Sequence, residues 1–347
     1  MIKTNLEFKT VFDSEESDSI SCYRIPSILT ASNGDLIVAA DQRVPSCGDL
    51  RSNENVNIVI RRSEDDGDTW SAIKAIVDYP LGESASDPSM ILDRTTKEIF
   101  LFFNYMDLKN AAGKYRLKLI KSKDHGKSWS KPVDITKQII KEDWEDDFMF
   151  ITSGRGIQTH DGQLLHTLVN LDKGLHVFGS DDHGANWFLI DTPISPGDES
   201  KIVELNPGHW LINSRVNKAG LRYTHQSIDE GHTWSTTADS ILVDPACNAS
   251  LLKYRTADTG MNKNLLLFSN VNSSDSRSNL TIKLSQDEGK SWAYSQTIYS
   301  GKAAYSSMTI LRNGDIAVFF ERDDYKTIDV VTFPIKWITA KEAAQYN

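Results

Sequence analysis

The stretch SKDHGKSW, from Ser122 to Trp129, decides the fold because four close variants of it occur elsewhere in the chain. All share the pattern Ser-x-Asp-x-Gly-x-(Ser/Thr/Asn)-Trp, and they are SEDDGDTW from Ser63, SDDHGANW from Ser180, SIDEGHTW from Ser227 and SQDEGKSW from Ser285. Successive copies start 59, 58, 47 and 58 residues apart. Five matches at such even spacing indicate an internal structural repeat.

Each copy of this pattern predicts a rigid turn. The aspartate can accept hydrogen bonds from backbone N–H groups just ahead of it. The glycine can adopt the positive φ that other residues resist, and the tryptophan can pack an apolar face onto neighbouring structure. We therefore interpret the Asp, Gly and Trp residues of the five copies as structural and assign them no chemistry.

Short β-rich runs lie between these turns, and many of them are broken by NG, DG or PG pairs. Repeats of about 40–60 residues with about four strands each are typical of a β-propeller. The sequence therefore predicts an all-β, six-bladed β-propeller, in which the two chain ends join to complete the sixth blade. We expect one domain over residues 1–347 without a separate lectin domain. Helical character is confined to TAKEAAQYN, Thr339–Asn347.

Composition and charge exclude several classes of partner. The formal net charge of −10 disfavours nucleic acid and anionic membranes, because both attract basic surfaces. No apolar run approaches the roughly 20 residues needed for a membrane span. The first residues lack the apolar stretch of a signal peptide. Location is therefore left open between the cytosol and a secreted protein whose signal has been removed.

Three cysteines, Cys22, Cys47 and Cys247, form no CxxC pair, so neither a zinc site nor a thioredoxin-like motif is indicated. An odd number leaves at least one thiol free unless it pairs between chains. We expect all three to be small buried hydrophobic residues. No cluster of metal ligands is apparent, and we expect neither a metal nor a cofactor.

The five turns together with YRIP, Tyr23–Pro26, resemble the sialidase (neuraminidase) family of bacterial and animal type. The resemblance runs from about Tyr23 to about Glu321, which is nearly the whole chain. It implies a six-bladed propeller that hydrolyses terminal sialic acids of glycoproteins, gangliosides and oligosaccharides. Because unrelated propellers also carry such turns, the functional residues were matched position by position.

The resemblance assigns nine residues to a site. The clamp for the substrate carboxylate consists of Arg24, Arg215 and Arg277, and the contacts to sugar hydroxyl groups are Arg43 and Asp87. The catalytic residues are Asp49, Glu199 and Tyr305. The carboxylate that supports the clamp is Glu321. Their spacings follow the family, since Asp49 lies 25 residues after Arg24 and Tyr305 lies 28 after Arg277. Arg43 and Asp87 could instead form a structural pair.

Two glutamates compete for the role of base. Glu199 precedes Arg215 by 16 residues, which is the family spacing, while Glu204 is nearer in sequence. A separation of five residues puts the two glutamates on opposite faces of a continuous strand, so only one of them can point at the site. We prefer Glu199.

The chemistry of sialic acid explains these residue types. Its carboxylate needs a fixed cationic clamp, and guanidinium groups grip carboxylates through paired hydrogen bonds. A carboxylate nucleophile would repel that carboxylate, whereas a tyrosine is neutral until it reacts. The resemblance implies that Tyr305 attacks, that Glu199 takes its proton and that Asp49 is the acid and base. We expect the pKa of Asp49 to be raised in the substrate complex.

A pocket for the N-acyl group of the sugar cannot be selected from the sequence, and Phe148–Gly156 and Phe102–Met106 are its candidates. The leading hypothesis is an exo-acting, retaining sialidase. Transfer to another glycan or within the substrate would use the same residues. A non-catalytic sialic-acid-binding propeller is a further alternative, but it would need only the clamp. Linkage preference and oligomeric state are left open.

Overall fold

In a computed structural model, which describes residues 6–254 and 265–340, the chain is a propeller-like arrangement of antiparallel sheets. Within those residues, 25 strands form five sheets. The first sheet contains β2 (Cys22–Thr30), β3 (Leu36–Arg43), β4 (Val56–Ser63) and β5 (Lys74–Val77). The second contains β6 (Glu83–Leu92), β7 (Ile99–Asp107), β8 (Arg116–Ser122), β9 (Val133–Asp134) and β11 (Gly154–Arg155), the last parallel to β6.

The remaining strands form three sheets. The third sheet contains β10 (Met149–Ile151), β12 (Ile157–Gln158), β13 (Leu164–Asn170), β14 (Gly174–Ser180) and β15 (Phe188–Ile194). The fourth contains β16 (Ser200–Asn206), β17 (His209–Ser214), β18 (Leu221–Ser227) and β19 (Ser235–Val243). The fifth contains β1 (Lys9–Asp13), β20 (Ser250–Tyr254), β21 (Leu265–Val271), β22 (Ser278–Ser285), β23 (Tyr294–Ile310), β24 (Ile316–Arg322) and β25 (Thr327–Phe333).

Helical structure is minor in the described part of the chain. The α-helices are α1 (Thr136–Ile139) and α2 (Ile335–Thr339), and single 3₁₀ turns occur at Ser14–Glu16, Leu50–Ser52 and Glu142–Trp144. The predicted C-terminal helical stretch lies, apart from its first two residues, outside the described residues. The predicted all-β class is confirmed.

The fifth sheet is exceptional because β23 pairs with two partners. Its first half pairs with β22, and its second half, from Ala303, pairs with β24. The N-terminal strand β1 then adds to β25 at the far edge, with Lys9 opposite Val330. The expected joining of the two chain ends is therefore confirmed, while the number of six blades stays a prediction.

The hydrophobic core lies between neighbouring sheets. Ile37 and Ile58 of the first sheet pack with Met90 and Leu101 of the second. Equivalent clusters join each sheet to the next, and the ring closes where β1 and β24 pack against β2. Because β3 and β7 are buried on both faces, each begins with a run of five apolar residues rather than with an alternating pattern.

The five repeated phrases form turns with the same hydrogen bonds. In the copy from Ser122, the Gly126 amide donates to the Ser122 hydroxyl (2.8 Å), and Ser128 donates to Asp124 through its amide and its hydroxyl. Each turn leads from the third strand of a sheet to the next strand. The predicted role is confirmed, with one addition: the residue before each glycine, such as His125 with φ of 60°, also has a positive φ.

Candidate functional site

Two strained bulges shape the inner strands at one end of the ring. Ile25 in β2 and Asp87 in β6 both precede a proline and have φ of 62° and 64°. The register of each strand shifts at that point. A positive φ is unfavourable for a β-branched residue such as Ile25, so it persists only where surrounding contacts impose it. The bulges lie at the positions from which Arg24 contacts the Tyr305 ring and Asp87 contacts Asn104.

Glu321 imposes that geometry on β2. Its buried carboxylate accepts hydrogen bonds from Arg24 Nε (3.1 Å), the Ile25 amide (2.8 Å) and the Tyr305 amide (3.0 Å). Burial alone would lower the pKa of Arg24, but the charge of Glu321 raises it above its usual value. Arg24 therefore stays positively charged. Its hydrogen bond to Glu321 fixes the orientation of its side chain, and the hydrogen bond from the Tyr305 amide to Glu321 fixes the backbone that carries Tyr305.

Tyr305, Glu199 and Arg215 form a connected group. The Tyr305 hydroxyl donates to Glu199 Oε2 at 2.8 Å, and Arg215 Nη1 donates to the same carboxylate oxygen at 2.6 Å. Arg215 Nη1 also lies 3.2 Å from the Tyr305 hydroxyl oxygen. Asp198 and Asn217 hold the other side of Arg215. A carboxylate, a phenol and one cation therefore meet within hydrogen-bond distance.

Burial raises the pKa of Tyr305 well above its usual value, and the charge of Glu199 raises it further. The guanidinium groups of Arg215, Arg24 and Arg277 act in the opposite direction. The phenol is consequently protonated at rest and directs its proton at Glu199. Glu199 can accept that proton without any rearrangement.

Arg277 approaches Tyr305 from another side. Its guanidinium carbon lies 5.4 Å from the centre of the Tyr305 ring, and that of Arg24 lies 5.3 Å away. Nη1 of Arg277 donates to the Tyr325 hydroxyl (3.0 Å) and Nη2 to the Ala246 carbonyl (3.1 Å). The guanidinium groups of Arg24, Arg215 and Arg277 thus surround one tyrosine.

Asp49 occupies an exposed loop that faces this group. Its side chain is 81% exposed and accepts a hydrogen bond from Arg43 Nη1 at 2.7 Å. Arg24 Nη1 lies 3.7 Å from the same oxygen. Partial burial would raise the pKa of Asp49, but Arg43 and then Arg24 lower it below its usual value. This direction in the free protein is opposite to the one expected for the substrate complex.

Arg43 is buried, and its guanidinium group is hydrogen-bonded to two carboxylates. Its Nε and Nη2 donate to Asp41 Oδ2 at 3.2 and 2.9 Å, and Nη1 donates to Asp49. Ser86 and the Asp87 amide also donate to Asp41. The structural pairing that the sequence left open for Arg43 is therefore present, with Asp41 rather than Asp87 as its partner.

Asp87 lies beside this pair and accepts a hydrogen bond from Asn104 (3.1 Å). Burial and then the charge of Asp41 raise the pKa of Asp87 to about 8. Two adjacent carboxyl groups share the environment of one arginine, so one of them keeps its proton at neutral pH. Asp87 is accordingly a neutral hydrogen-bonding group in the free protein.

Sequence reasoning missed three residues at this end of the ring. Asp41 precedes Arg43 by two residues, so strand alternation alone could have placed both on one face. Tyr325 lies under Arg24, with its ring centre 4.2 Å from the guanidinium carbon, but a loop tyrosine carries no sequence signal. Lys201 is buried on β16, which begins directly after Glu199, and its Nζ donates a hydrogen bond to Asn248 (2.7 Å).

Glu204 lies away from this group. Its carboxylate accepts a hydrogen bond from the His160 amide at 2.6 Å. Of the two candidate segments for an N-acyl pocket, Phe102–Met106 is largely excluded because Phe102, Phe103 and Met106 are completely buried in the core. Phe148 is partly buried, and the guanidinium carbon of Arg51 lies 5.0 Å from its ring centre.

The expectation that all three cysteines are buried is wrong for Cys47, whereas Cys22 is buried as expected but is not a free thiol. Cys22 and Cys47 form a disulfide with Cα atoms 5.7 Å apart, and Cys47 is exposed beside the Asp49 loop. Cys247 is buried and free, as expected. Sequence spacing could not pair them, because the loop between them closes only in the folded chain. Within residues 6–254 and 265–340 there is neither a group of three potential metal ligands nor a helix long and apolar enough to cross a membrane.

Comparison with known proteins adds independent information. Residues 34–318 match the family described as BNR repeat-like domain. A sialidase of Micromonospora viridifaciens is 33% identical over 327 residues, which cover 86% of this chain and 50% of that protein. A sialidase of Bacteroides fragilis is 29% identical over 336 residues, covering 88% and 60%. This chain therefore spans about half to three fifths of those relatives.

A solved structure resembles the whole fold. It is the Hadza microbial sialidase Hz136, with a TM-score of 0.85 and 28% sequence identity. The match covers 95% of this chain and 69% of that one. The ring of sheets and the position of its inner strands are thus shared with a protein of known architecture.

Proposed function

Because this chain belongs to the sialidase (neuraminidase) family, we propose that it is a glycoside hydrolase that releases terminal α-linked sialic acids from glycoconjugates. We further propose an exo-acting, retaining mechanism. The observation that carries the proposal is the 2.8 Å hydrogen bond from the Tyr305 hydroxyl to Glu199, inside a ring of three arginines. A buried tyrosine that donates to a carboxylate among three cations is suited to attack an anionic substrate.

In this proposal, Arg24, Arg215 and Arg277 bind the substrate carboxylate. Glu321 supports the clamp because it fixes the orientation of Arg24. Arg24 and Arg215 are pre-oriented by carboxylates, and Arg277 by a hydroxyl and a carbonyl group. Pre-orientation spares the substrate the cost of ordering long side chains on binding.

The carboxylate held by the clamp places the anomeric carbon next to Tyr305. The phenol oxygen attacks that carbon while its proton passes to Glu199, and the bond to the leaving sugar breaks. The three guanidinium groups stabilise negative charge on the phenol oxygen as the proton leaves. The product of this step is a glycosyl-tyrosine intermediate, as expected where a carboxylate nucleophile would repel the substrate.

Asp49 would act on the opposite partner, the leaving oxygen. In the free protein Arg43 and Arg24 keep its pKa low. A bound sialic acid carboxylate would neutralise part of that field and exclude water, and both changes raise the pKa of Asp49. Asp49 could then donate a proton to the leaving group and afterwards deprotonate the water that releases the product. Asp87 would border the sugar hydroxyl groups, and Arg43, which is buried, would act there by holding Asp41 and Asp49.

We also propose that the architecture is a six-bladed propeller formed by residues 1–347 as a single catalytic domain. The support is the seven-stranded sheet, in which β23 changes partner at Ala303. Division at that point gives two four-stranded blades that share one long strand: β20 to the first half of β23, and the second half of β23 with β24, β25 and β1.

The test is turnover of a fluorogenic sialoside by wild type, Tyr305→Phe and Asp49→Ala, with circular dichroism and melting temperature as controls for folding. We expect the wild type to release sialic acid with retained configuration, seen by NMR as the α-anomer first. We expect Tyr305→Phe to lose at least roughly 10²–10⁴-fold in kcat. Full activity of Tyr305→Phe would refute the nucleophile.

The same experiment separates the alternatives. An anhydro sugar or a sialylated acceptor in the NMR spectrum would identify transfer by the same residues. Sialoside binding without any turnover by the wild type would identify a binding propeller and contradict an enzyme.

A further inference from the structure

The three arginines that surround Tyr305 differ in what holds them. Arg24 and Arg215 each pair with a buried carboxylate. Within residues 6–254 and 265–340, Arg277 forms no ion pair, and its guanidinium group donates to two neutral oxygens, the Tyr325 hydroxyl (3.0 Å) and a backbone carbonyl (3.1 Å). A neutral acceptor orients a guanidinium group without offsetting its charge.

Tyr325 contacts two of these arginines at once. Its hydroxyl accepts the hydrogen bond from Arg277, and its ring centre lies 4.2 Å from the guanidinium carbon of Arg24. A guanidinium group over an aromatic face is attracted by the ring, and the attraction is stronger where water is excluded, as it is at the buried Arg24. Arg24 lies on β2 in the first sheet, and Arg277 directly precedes β22 in the fifth. One side chain thus fixes two cations from different sheets relative to each other.

The loop that carries Tyr325 between β24 and β25 is strained, because three successive residues, Asp323, Asp324 and Tyr325, have φ of 51°, 57° and 69°. Positive φ is unfavourable for a bulky residue such as tyrosine and persists where surrounding contacts impose it. The Tyr299 hydroxyl of β23 donates to Asp323 at 2.5 Å. Lys302, on the same strand, pairs with Asp324. Tyr325 is therefore held at a defined position by contacts from another strand.

We propose that Tyr325 is a positioning residue that adapts the site to a carboxylate: its hydroxyl orients Arg277 and its ring orients Arg24 toward the same anionic group. This role rests on the proposed function in one respect, since Arg24 and Arg277 are taken as groups that bind the substrate carboxylate. Guanidinium groups fixed before binding spare the substrate the cost of ordering them. Because the partner of Arg277 is neutral, Tyr325 should matter for a carboxylate and little for an uncharged group at the same position.

The first test measures binding, which does not require turnover. A dehydrated sialic acid analogue and its methyl ester are titrated into wild type, Tyr325→Phe and Tyr299→Phe, with ligand NMR as the readout and melting temperature as the control for folding. Tyr325→Phe keeps the ring over Arg24 and removes only the acceptor for Arg277. We expect its Kd for the acid to rise roughly tenfold, the effect of losing one hydrogen bond to a charged group, and its Kd for the ester to equal that of the wild type.

Tyr299→Phe is the matched control. It also removes one tyrosine hydroxyl, and with it a hydrogen bond to the same loop, but in the described part of the chain Tyr299 contacts neither Arg24 nor Arg277. Its Kd for the acid should equal that of the wild type. The proposal is overturned if Tyr325→Phe binds the acid as tightly as the wild type, if it loses affinity for acid and ester by the same factor, or if Tyr299→Phe shows the same loss.

A double-mutant cycle tests whether the hydroxyl acts through Arg277. The Kd for the acid is compared between Arg277→Met and the double variant that also carries Tyr325→Phe. We expect Tyr325→Phe to have no further effect in the Arg277→Met background, because the hydroxyl then has no cation to orient. Losses that add would contradict the proposal.

The contribution of the ring is tested by a second variant, Tyr325→Leu, which removes both contacts. Its Kd for the acid should exceed that of Tyr325→Phe, since Arg24 also loses its aromatic partner. Equal Kd values for the two variants would contradict a role of the ring in orienting Arg24.

Turnover distinguishes a failure of the positioning role from a failure of the proposed function. With a fluorogenic sialoside, Tyr325→Phe should raise KM by the same factor as Kd and leave kcat unchanged, because the hydrogen bond from Tyr305 to Glu199 does not involve Tyr325. A wild type that binds the acid more tightly than Tyr325→Phe does but shows no turnover would contradict the proposed enzyme and support the positioning role. Turnover by the wild type with an unchanged KM in Tyr325→Phe would contradict the positioning role alone.

Discussion

The five repeated turns and the site around Tyr305 both contain hydrogen-bonded carboxylates, but they differ in where the hydrogen-bond partners come from. In each turn an aspartate lies at the surface, half-buried or exposed, and groups within four residues of it donate hydrogen bonds to its carboxylate. Around Tyr305 the carboxylates of Glu199 and Glu321 are buried, and their partners come from distant parts of the chain, as for Arg24 and Glu321, which are 297 residues apart. A turn whose hydrogen bonds are all formed within a few residues can be repeated along the chain. A site whose hydrogen bonds join distant residues occurs once.

The pKa values follow this difference. Hydrogen bonds from Thr69, Ser128 and their counterparts lower the pKa of four of the turn aspartates to about 2. In the site, burial raises the pKa of Asp87 to about 8 and raises that of Tyr305 well above its usual value. The turn aspartates are therefore ionised at neutral pH, while Asp87 and Tyr305 in the site are protonated. We expect substitutions in the site to change turnover, and substitutions in the turns to change stability.

The largest expected effect is on the base. Glu199→Gln keeps the shape of the side chain and an acceptor for Arg215, but it cannot accept the Tyr305 proton. We expect kcat for a fluorogenic sialoside to fall by roughly 10²–10⁴-fold, the usual contribution of a general base. The melting temperature should stay within a few degrees of the wild type. Glu204→Gln is the matched control, and an equal loss of kcat in both variants would contradict the assignment of the base.

Arg24→Lys should produce the next largest effect. Lysine keeps the charge but loses the planar fork that reaches Glu321 and, in our proposal, the substrate carboxylate. Loss of one charge-assisted hydrogen bond costs about 1.5–3 kcal/mol, which corresponds to roughly 10–150-fold in kcat/KM. Steady-state kinetics should assign most of this loss to KM. A change confined to kcat would indicate that Arg24 does not bind the ground-state substrate.

The turns provide the counterpart, a change in stability without a change in turnover. A Cβ added to Gly184 would lie 2.3 Å from the Phe100 ring, and Gly184 has φ of 74°. We expect Gly184→Ala to lose about 1–3 kcal/mol of unfolding free energy by urea titration, because overpacking adds to backbone strain.

Gly162 separates the effect of overpacking from that of φ, since it has φ of 99° and a Cβ added to it would meet no atom within 4 Å. Gly162→Ala should lose only the part due to φ. The kcat of Gly184→Ala should equal that of the wild type under conditions in which both are folded. A lower kcat for the folded variant would show that the turns and the site are not independent.

Much of this comparison could be predicted from the sequence because the turns are local. A pattern of eight residues encodes its own hydrogen bonds, so SKDHGKSW predicts the turn, its glycine and its place after a strand. The pairing of β1 with β25 was also predictable, since a ring needs both chain ends.

The electrostatic setting of the site was not predictable in the same way. The pairing of Asp41 with Arg43 follows strand alternation, but Asp41 also raises the pKa of Asp87 on another sheet, and that contact has no local pattern. Tyr325 under Arg24 and the Cys22–Cys47 disulfide depend on how distant loops meet. The low pKa of Asp49 in the free protein is caused by Arg43 and then Arg24, and the sequence does not show that both guanidinium groups lie beside this carboxylate.

The smallest predicted effect is a pH dependence that the turns cannot produce. The raised pKa of Asp87 means that its carboxyl group is neutral at pH 7 and ionises as the pH passes about 8. Ionisation adds a negative charge beside Asp41 and Glu199, where an anionic substrate must bind, so KM should rise several-fold between pH 7 and 9. Lys201, whose pKa burial lowers to about 7, loses its positive charge over a lower range and also weakens anion binding. Asp87→Asn should remove the rise centred near pH 8 and keep the one near pH 7. A KM profile for Asp87→Asn identical to that of the wild type would place the titrating group elsewhere.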